Sequence, residues 1–138
     1  MKEELQNQMY DRFPHMFRAR FRDFHSSGMV EPMVFGITCD DGWFGLIWKL
    51  CEDIEPLVDE DFYITQVKEK FGGLRFYTMF GMNISEMIRD AEEDSYHICE
   101  VCGKPGLLCV SDNWYKTVCK KHRKREKYAD FKPVERRK

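Results

Sequence analysis

Apolar side chains recur at helical spacing in three stretches of the chain and alternate in a fourth. In residues 3–24, Leu5, Met9, Phe13, Met16, Phe17 and Phe21 fall about three or four positions apart among charged residues, which predicts helix. Pro14 opens a second helix there or kinks the first. Ser26-Ser27-Gly28-Met29-Val30-Glu31-Pro32 reads as a loop and residues 33–37 as a short strand. Asp40-Asp41-Gly42 predicts a turn, with either aspartate placed to cap the next helix. Trp43, Leu46, Ile47, Leu50, Ile54 and Leu57 form the clearest amphipathic stripe. Its outer face is acidic, with Glu52, Asp53, Glu55, Asp59, Glu60 and Asp61, and Pro56 marks its end.

Residues 62–67 are aromatic and β-branched, as strands are. Leu74, Phe76, Thr78 and Phe80 alternate with Arg75, Tyr77 and Met79, and Phe71-Gly72-Gly73 supplies a turn, so 62–80 predicts a β-hairpin. Asn83 with Glu86 has the spacing of a capping box. Ile84, Met87, Ile88, Ala91 and Ile98 then share a helical face that leads into Cys99.

Composition adds bounds. The 138 residues make one domain, or one with a small appendage, and 43% apolar content is ample for a core. No run of eighteen apolar residues predicts a membrane span, and MKEELQNQMYDRF has no apolar signal-peptide region. The expected setting is therefore a reducing cytoplasm, where six cysteines point to metal or free thiols before disulfides. The net charge of −2 conceals an asymmetry: from residue 115 onward there are eleven Lys/Arg against three Asp/Glu, leaving −10 on residues 1–114. Such a split is more informative than the average: the basic end is a solvated helix with a frayed tail, pairs with the protein's own acidic part, or meets a polyanion.

The candidate chemistry lies at the C-terminal end. Cys99-Glu100-Val101-Cys102-Gly103 is followed by Cys119-Lys120-Lys121-His122, with sixteen residues separating Cys102 from Cys119. Two-residue gaps let a tight turn present both members of a pair to one ion, and three thiols with an imidazole suit one zinc ion. Residues 104–106 read as a turn, 107–110 and 114–118 as strands, and 119–128 as helix. Knuckle, hairpin and helix in that order resemble a treble-clef zinc finger over residues 97–129. Alternatives are four unliganded residues or redox chemistry at Cys99 and Cys102. Cys109 is a substitute ligand or a buried thiol, Cys39 and Cys51 are core thiols, and His97 is a solvated side chain. Four protein ligands leave no open position for catalysis. A metal-dependent nuclease of the His-Asn-His type is a remote alternative, because residues 107–118 contain no histidine. Candidate bases are His15, His25 and His97, and a Cys39 or Cys51 nucleophile would need one of them nearby.

Gln66-Val67-Lys68-Glu69-Lys70-Phe71-Gly72-Gly73-Leu74-Arg75-Phe76-Tyr77 is dense in aromatics, glycines and charge. With Asp41-Gly42-Trp43 before it and Cys99-Glu100-Val101-Cys102-Gly103 after it, it resembles small uncharacterised bacteriophage and prophage proteins, over residues 36–122. The resemblance implies a mobile-element origin and a bacterial host cytoplasm. It implies no known activity; by analogy with phage chains of this size that lack enzymatic signatures, the expectation is an accessory protein that binds, and inhibits or modifies, a host component.

The expected fold is α+β: helices with a small antiparallel sheet in a 1–96 body, a zinc-binding module at 97–129, and a disordered basic tail at 130–138. The leading function is non-enzymatic binding of a host macromolecule, a protein first, with no membrane and no small-molecule substrate. The alternative is DNA or RNA binding through Lys120, Lys121, Arg123, Lys124, Arg125 and Lys127, with Trp114 and Tyr115 stacking on an unpaired base. Phe71 and Arg75 in the first hairpin are packed residues or part of a recognition loop. The acidic helix face is solvated or imitates DNA phosphates.

Overall fold

The stripe that begins at Trp43 forms α2 (Phe44–Ile54), which buries Ile47, Leu50, Cys51 and Ile54. Trp43 precedes it in a 3-10 turn (Asp41–Trp43), fully buried, with its indole Nε1 donating to the Ile98 carbonyl at 2.9 Å. This computed structural model describes residues 1–124 and 130–134, and its architecture is α+β, with helices and small antiparallel sheets.

The first hairpin pairs β1 (Tyr63–Lys70) with β2 (Gly73–Met79), with a bulge between Ile64 and Gln66. Val67, Leu74 and Phe76 are buried, as the alternation requires. α3 (Ser85–Ser95) lies on β2: the Ser95 hydroxyl and the Glu92 carboxylate accept the Leu74 and Phe76 amides at 2.9 and 3.0 Å. α1 (Glu3–Arg12) adds Met9 to the core, and Phe13, Met16, Phe17 and Ala19 follow it there. The outer edge of β1 is covered by other backbone: Ile64 donates to Met16, Thr38 donates to Val67, and Glu69 donates to Thr38. Covering an edge in this way removes a template for unwanted pairing.

Several sequence expectations change. Helix does not continue over 3–24: α1 stops at Arg12 ahead of Pro14, whose ring cannot continue it, and only a 3-10 turn (Arg18–Arg20) follows, with Phe21 exposed. Residues 33–37 are not a strand, because Pro32 opens a 3-10 turn (Pro32–Phe35) closed by Gly36 at φ 84°. Neither Asp40 nor Asp41 caps α2; Asp40 binds Lys116, and Asp41 accepts the Lys2 amide at 2.8 Å. Asn83 does not cap α3 but sits in a 3-10 turn (Met82–Ile84) and donates to the Leu57 carbonyl at 2.7 Å. α3 ends at Ser95, before Ile98, so it does not run into Cys99.

At the C-terminal end, β3 (Leu107–Ser111) pairs with β4 (Trp114–Val118), and α4 (Lys120–Arg123) follows. The helix expected over 119–128 is seen in that turn; residues 125–129, with Arg125 and Lys127, lie outside the described residues. Part of the segment expected to be a disordered tail is placed instead: β5 (Lys132–Pro133) pairs with the other edge of β3, and Phe131 is buried beside Cys109 and Val118. Both hairpins close through two residues at positive φ, Phe71 and Gly72 at 53° and 83°, Asp112 and Asn113 at 47° and 67°. That is the type I′ pattern, whose twist matches the strands. Among the described residues no helix is long and apolar enough to cross a membrane.

Candidate metal centre

The first ligand pair sits on a tight loop. The Cys99 amide donates to the Lys104 carbonyl at 2.7 Å, Gly103 donates back to Cys99 at 2.8 Å, and Gly106 donates to His97 at 2.9 Å. Gly103 holds φ at 80°, where a side chain would be strained. The second pair straddles the end of β4: Cys119 precedes α4, and His122 follows one turn later.

These two elements bring together all four residues expected from the sequence. One ligand atom from each of Cys99, Cys102, Cys119 and His122 lies within 4.8 Å of every other. The Cys102 and Cys119 sulfurs are 3.8 Å apart, and His122 Nδ1 is 3.6 Å from Cys99 Sγ and 3.1 Å from Cys119 Sγ. Zinc–sulfur bonds of roughly 2.3 Å at tetrahedral angles put sulfurs roughly 3.8 Å apart, so the spacing fits a single ion. Cys99, Cys119 and His122 are buried and Cys102 is exposed. Cys109 lies outside this set; its thiol donates to the Leu107 carbonyl. Burial pushes the Cys99 thiol up. Burial also acts on Cys119, but hydrogen bonds from the His122 and Lys121 backbone and from the neighbouring thiols outweigh it and draw that thiol down. A depressed thiol is nearer the thiolate form that binds metal.

A second constellation, which sequence reasoning missed, ties this centre to the body. Glu100, between the first two ligands, has 3% side-chain exposure, and its Oε1 accepts from Lys116 Nζ at 2.9 Å. Its other oxygen accepts the Asp40 amide at 2.9 Å, while Lys116 also reaches the Asp40 carboxylate at 2.8 Å. Burial pushes the Glu100 carboxyl up, although Lys116 pulls the other way. The Gly42 amide donates to the Glu100 carbonyl at 2.7 Å, and a methyl on Gly42 would run into the Cys99 and Glu100 carbonyl oxygens. Charged residues at unremarkable spacings carry no sequence signal for such burial.

No family model, curated protein or solved structure matches the chain.

The remaining sequence-predicted residues fall into three places. Arg75 is half-buried and donates to the Leu74 carbonyl and the Tyr96 hydroxyl, so it braces the first hairpin. Lys120, Lys121 and Lys124 are exposed and Arg123 is half-buried. Phe71, Trp114 and Tyr115 share a cleft between the hairpin tips. Among the candidate bases, His15 Nε2 lies 2.6 Å from the Glu60 carbonyl oxygen and His25 Nε2 lies 2.9 Å from a Glu31 carboxylate oxygen, while His97 is exposed. Burial raises the Cys51 thiol, and holds Cys39 up at about 12. Iodoacetamide near pH 8 therefore leaves Cys39 and Cys51 unmodified in the native protein, since the thiolate is the reactive form. Peptide mass spectrometry checks this; rapid labelling of either before unfolding contradicts the burial.

Proposed function

We propose that Cys99, Cys102, Cys119 and His122 hold one structural zinc ion in a treble-clef-like module, and that the protein is a non-enzymatic accessory protein binding nucleic acid through that module's basic face. One observation carries the choice of partner. Lys120, Lys121 and Lys124 are exposed and make no ion pair with any described residue, whereas two of the acidic residues on and just after α2 have local cations, in Lys49–Asp53 and Arg12–Glu55. Exposed positive charge without a counterpart among the described residues attracts a polyanion. From the sequence alone a host protein ranks ahead of nucleic acid; the exposed lysines support the nucleic-acid reading. A phage-type protein acting in the cytoplasm of its bacterial host fits this reading.

The ion's role follows from the donor set: four protein ligands close the coordination sphere, so zinc here orders the chain. The glutamate and lysine behind the ligands orient the loop that carries Cys99 and Cys102.

Fluorescence anisotropy with a labelled oligonucleotide tests the reading. Wild-type affinity should fall steeply with salt. Lys120→Glu, Lys121→Glu and Lys124→Glu together should weaken binding at least tenfold and lower the log–log salt slope by about 2, the sum of three phosphate contacts on a single strand. Zinc content must remain unchanged. Salt-independent binding, or a triple variant that binds like wild type, refutes it.

A host-protein partner keeps one specific support. Leu46, Leu50, Met87 and Ala91 floor a cleft of about 240 Å³ between α2 and α3, rimmed by Asp90 and Asp94 and by the paired Lys49 and Asp53. Its chemistry suits an apolar helix with basic flanks. Asp90→Lys with Asp94→Lys separates the two readings, since it abolishes capture of such a protein and leaves nucleic-acid binding intact.

A further inference from the structure

The tip of the first hairpin packs against the strands of the second, far from it in sequence. The Thr117 hydroxyl donates to the Gly72 carbonyl at 2.7 Å, and a Cβ on Gly72 would collide with Leu108 and press on Tyr115 and the Lys116 amide. Only glycine permits this close approach. Between the tips lies a cleft of about 220 Å³ lined by Glu69, Lys70, Phe71, Asn113, Trp114 and Tyr115. Phe71 and Trp114 are 63% and 67% exposed there.

Phe71 is out of place on folding grounds alone. It occupies the first central position of a type I′ turn, at φ 53°. That position favours Asn, Asp or Gly, because a bulky side chain in the left-handed region is strained. Burial of the ring does not offset the strain, since most of it faces solvent. Strain kept at an exposed aromatic, beside a second exposed aromatic from another hairpin, marks a surface held ready for something else.

We propose that Phe71 and Trp114 form a notch that stacks an unpaired base of single-stranded nucleic acid. This rests on the nucleic-acid reading above and specifies its substrate class. Aromatic faces accept any base, and a base is available for stacking only outside a duplex. Lys70 is exposed, with Nζ 5.6 Å from the Phe71 ring centroid, a place from which it meets the adjoining phosphate. β4 runs from Trp114 to Val118, roughly 13 Å at a strand's rise, and α4 with Lys120, Lys121 and Lys124 begins just beyond. That distance matches roughly four stacked nucleotides, so one short strand reaches from the lysines to the notch. Of the acidic neighbours, Glu69 is occupied in accepting the Gly72 amide at 2.7 Å, and Asp112 is the exposed one. Tyr115 is half-buried with its Cβ against Gly72, and serves as the floor.

The test uses the full zinc-loaded chain with a labelled oligothymidylate and a labelled duplex. Wild type should prefer the single strand. Phe71→Asn suits the turn and keeps or raises Tm; Trp114→Ser removes the second ring. Each should lose roughly five- to a hundredfold in single-strand affinity with duplex affinity, salt slope and zinc content unchanged, and Asp112→Asn should bind more tightly. Single-strand binding unaltered in both ring variants overturns the notch while the basic-face reading stands. Equal losses on single strand and duplex also overturn it. If wild type binds neither oligonucleotide, both ideas fail, and the exposed rings belong to a protein interface.

Discussion

Cys119→Ala abolishes metal binding and unfolds the C-terminal module. The buried apolar cluster among that module's described residues consists only of Cys99, Cys109, Val118, Cys119 and Phe131, and two of these belong to the candidate metal centre. So small a core cannot offset the entropy of ordering forty residues. A structural zinc site contributes roughly 10–16 kcal/mol of apparent binding energy, so the ion proposed above would be the largest stabilising element in the C-terminal third of the chain. Cys119 is the ligand to remove, because its sulfur lies close to both Cys102 and His122. Elemental analysis should give about one zinc per wild-type chain and none for the variant. Amide exchange should show β3 and β4 losing protection first, before the α2–β1–β2 core. A chain whose melting is unchanged after chelation has no structural metal.

Lys116→Met is the second large effect, at roughly 3 kcal/mol or more. Removing one partner of a buried ion pair leaves the other charged and desolvated, which costs roughly 3–5 kcal/mol. Here the partner left behind is Glu100, the more deeply buried of the two acids that Lys116 reaches. Burial by itself would lower the Lys116 ammonium, yet Asp40 and Glu100 outweigh it and hold it above the ordinary lysine range. Its folded pKa is raised, so the contribution is complete at neutral pH and disappears only as pH climbs through that raised value. Urea unfolding measures the loss. Adding Glu100→Gln to Lys116→Met should recover part of it, because the amide still accepts the Asp40 N–H without a charge. A double variant no better than the single would place the cost elsewhere.

The cluster of Cys99, Cys102, Cys119 and His122 was legible because coordination chemistry dictates both residue type and spacing. The first hairpin was legible because alternation at Leu74, Phe76 and Thr78 has a single structural meaning. Short connections were harder to read. Pro32 and Pro14 each redirect a segment whose apolar spacing suits a regular element, and the preference is settled by one ring rather than by a pattern. Aspartates at 40 and 41 satisfy the requirements of a cap, but tertiary partners compete for them, and Lys116 sits seventy-six residues away. The pairing of Lys132 with Val110 is of the same kind, since a two-residue strand has no periodicity to read. The neighbouring hairpin tips depend on Gly72 meeting Leu108, a contact that neither hairpin encodes alone.

The clamp around Glu100 also sets an order on biosynthesis. Trp43, Gly42 and Asp40 leave the ribosome early, but their partners are the Ile98 carbonyl, the Glu100 carbonyl and Lys116. The last ligand, His122, emerges later still. A growing chain can collapse its apolar body first, yet the junction stays open until residues 98–116 have been made. If the four-residue cluster holds the zinc ion proposed above, newly made copies in a cell short of free zinc would present that open seam to proteases for longer, and zinc supply would then set how many survive.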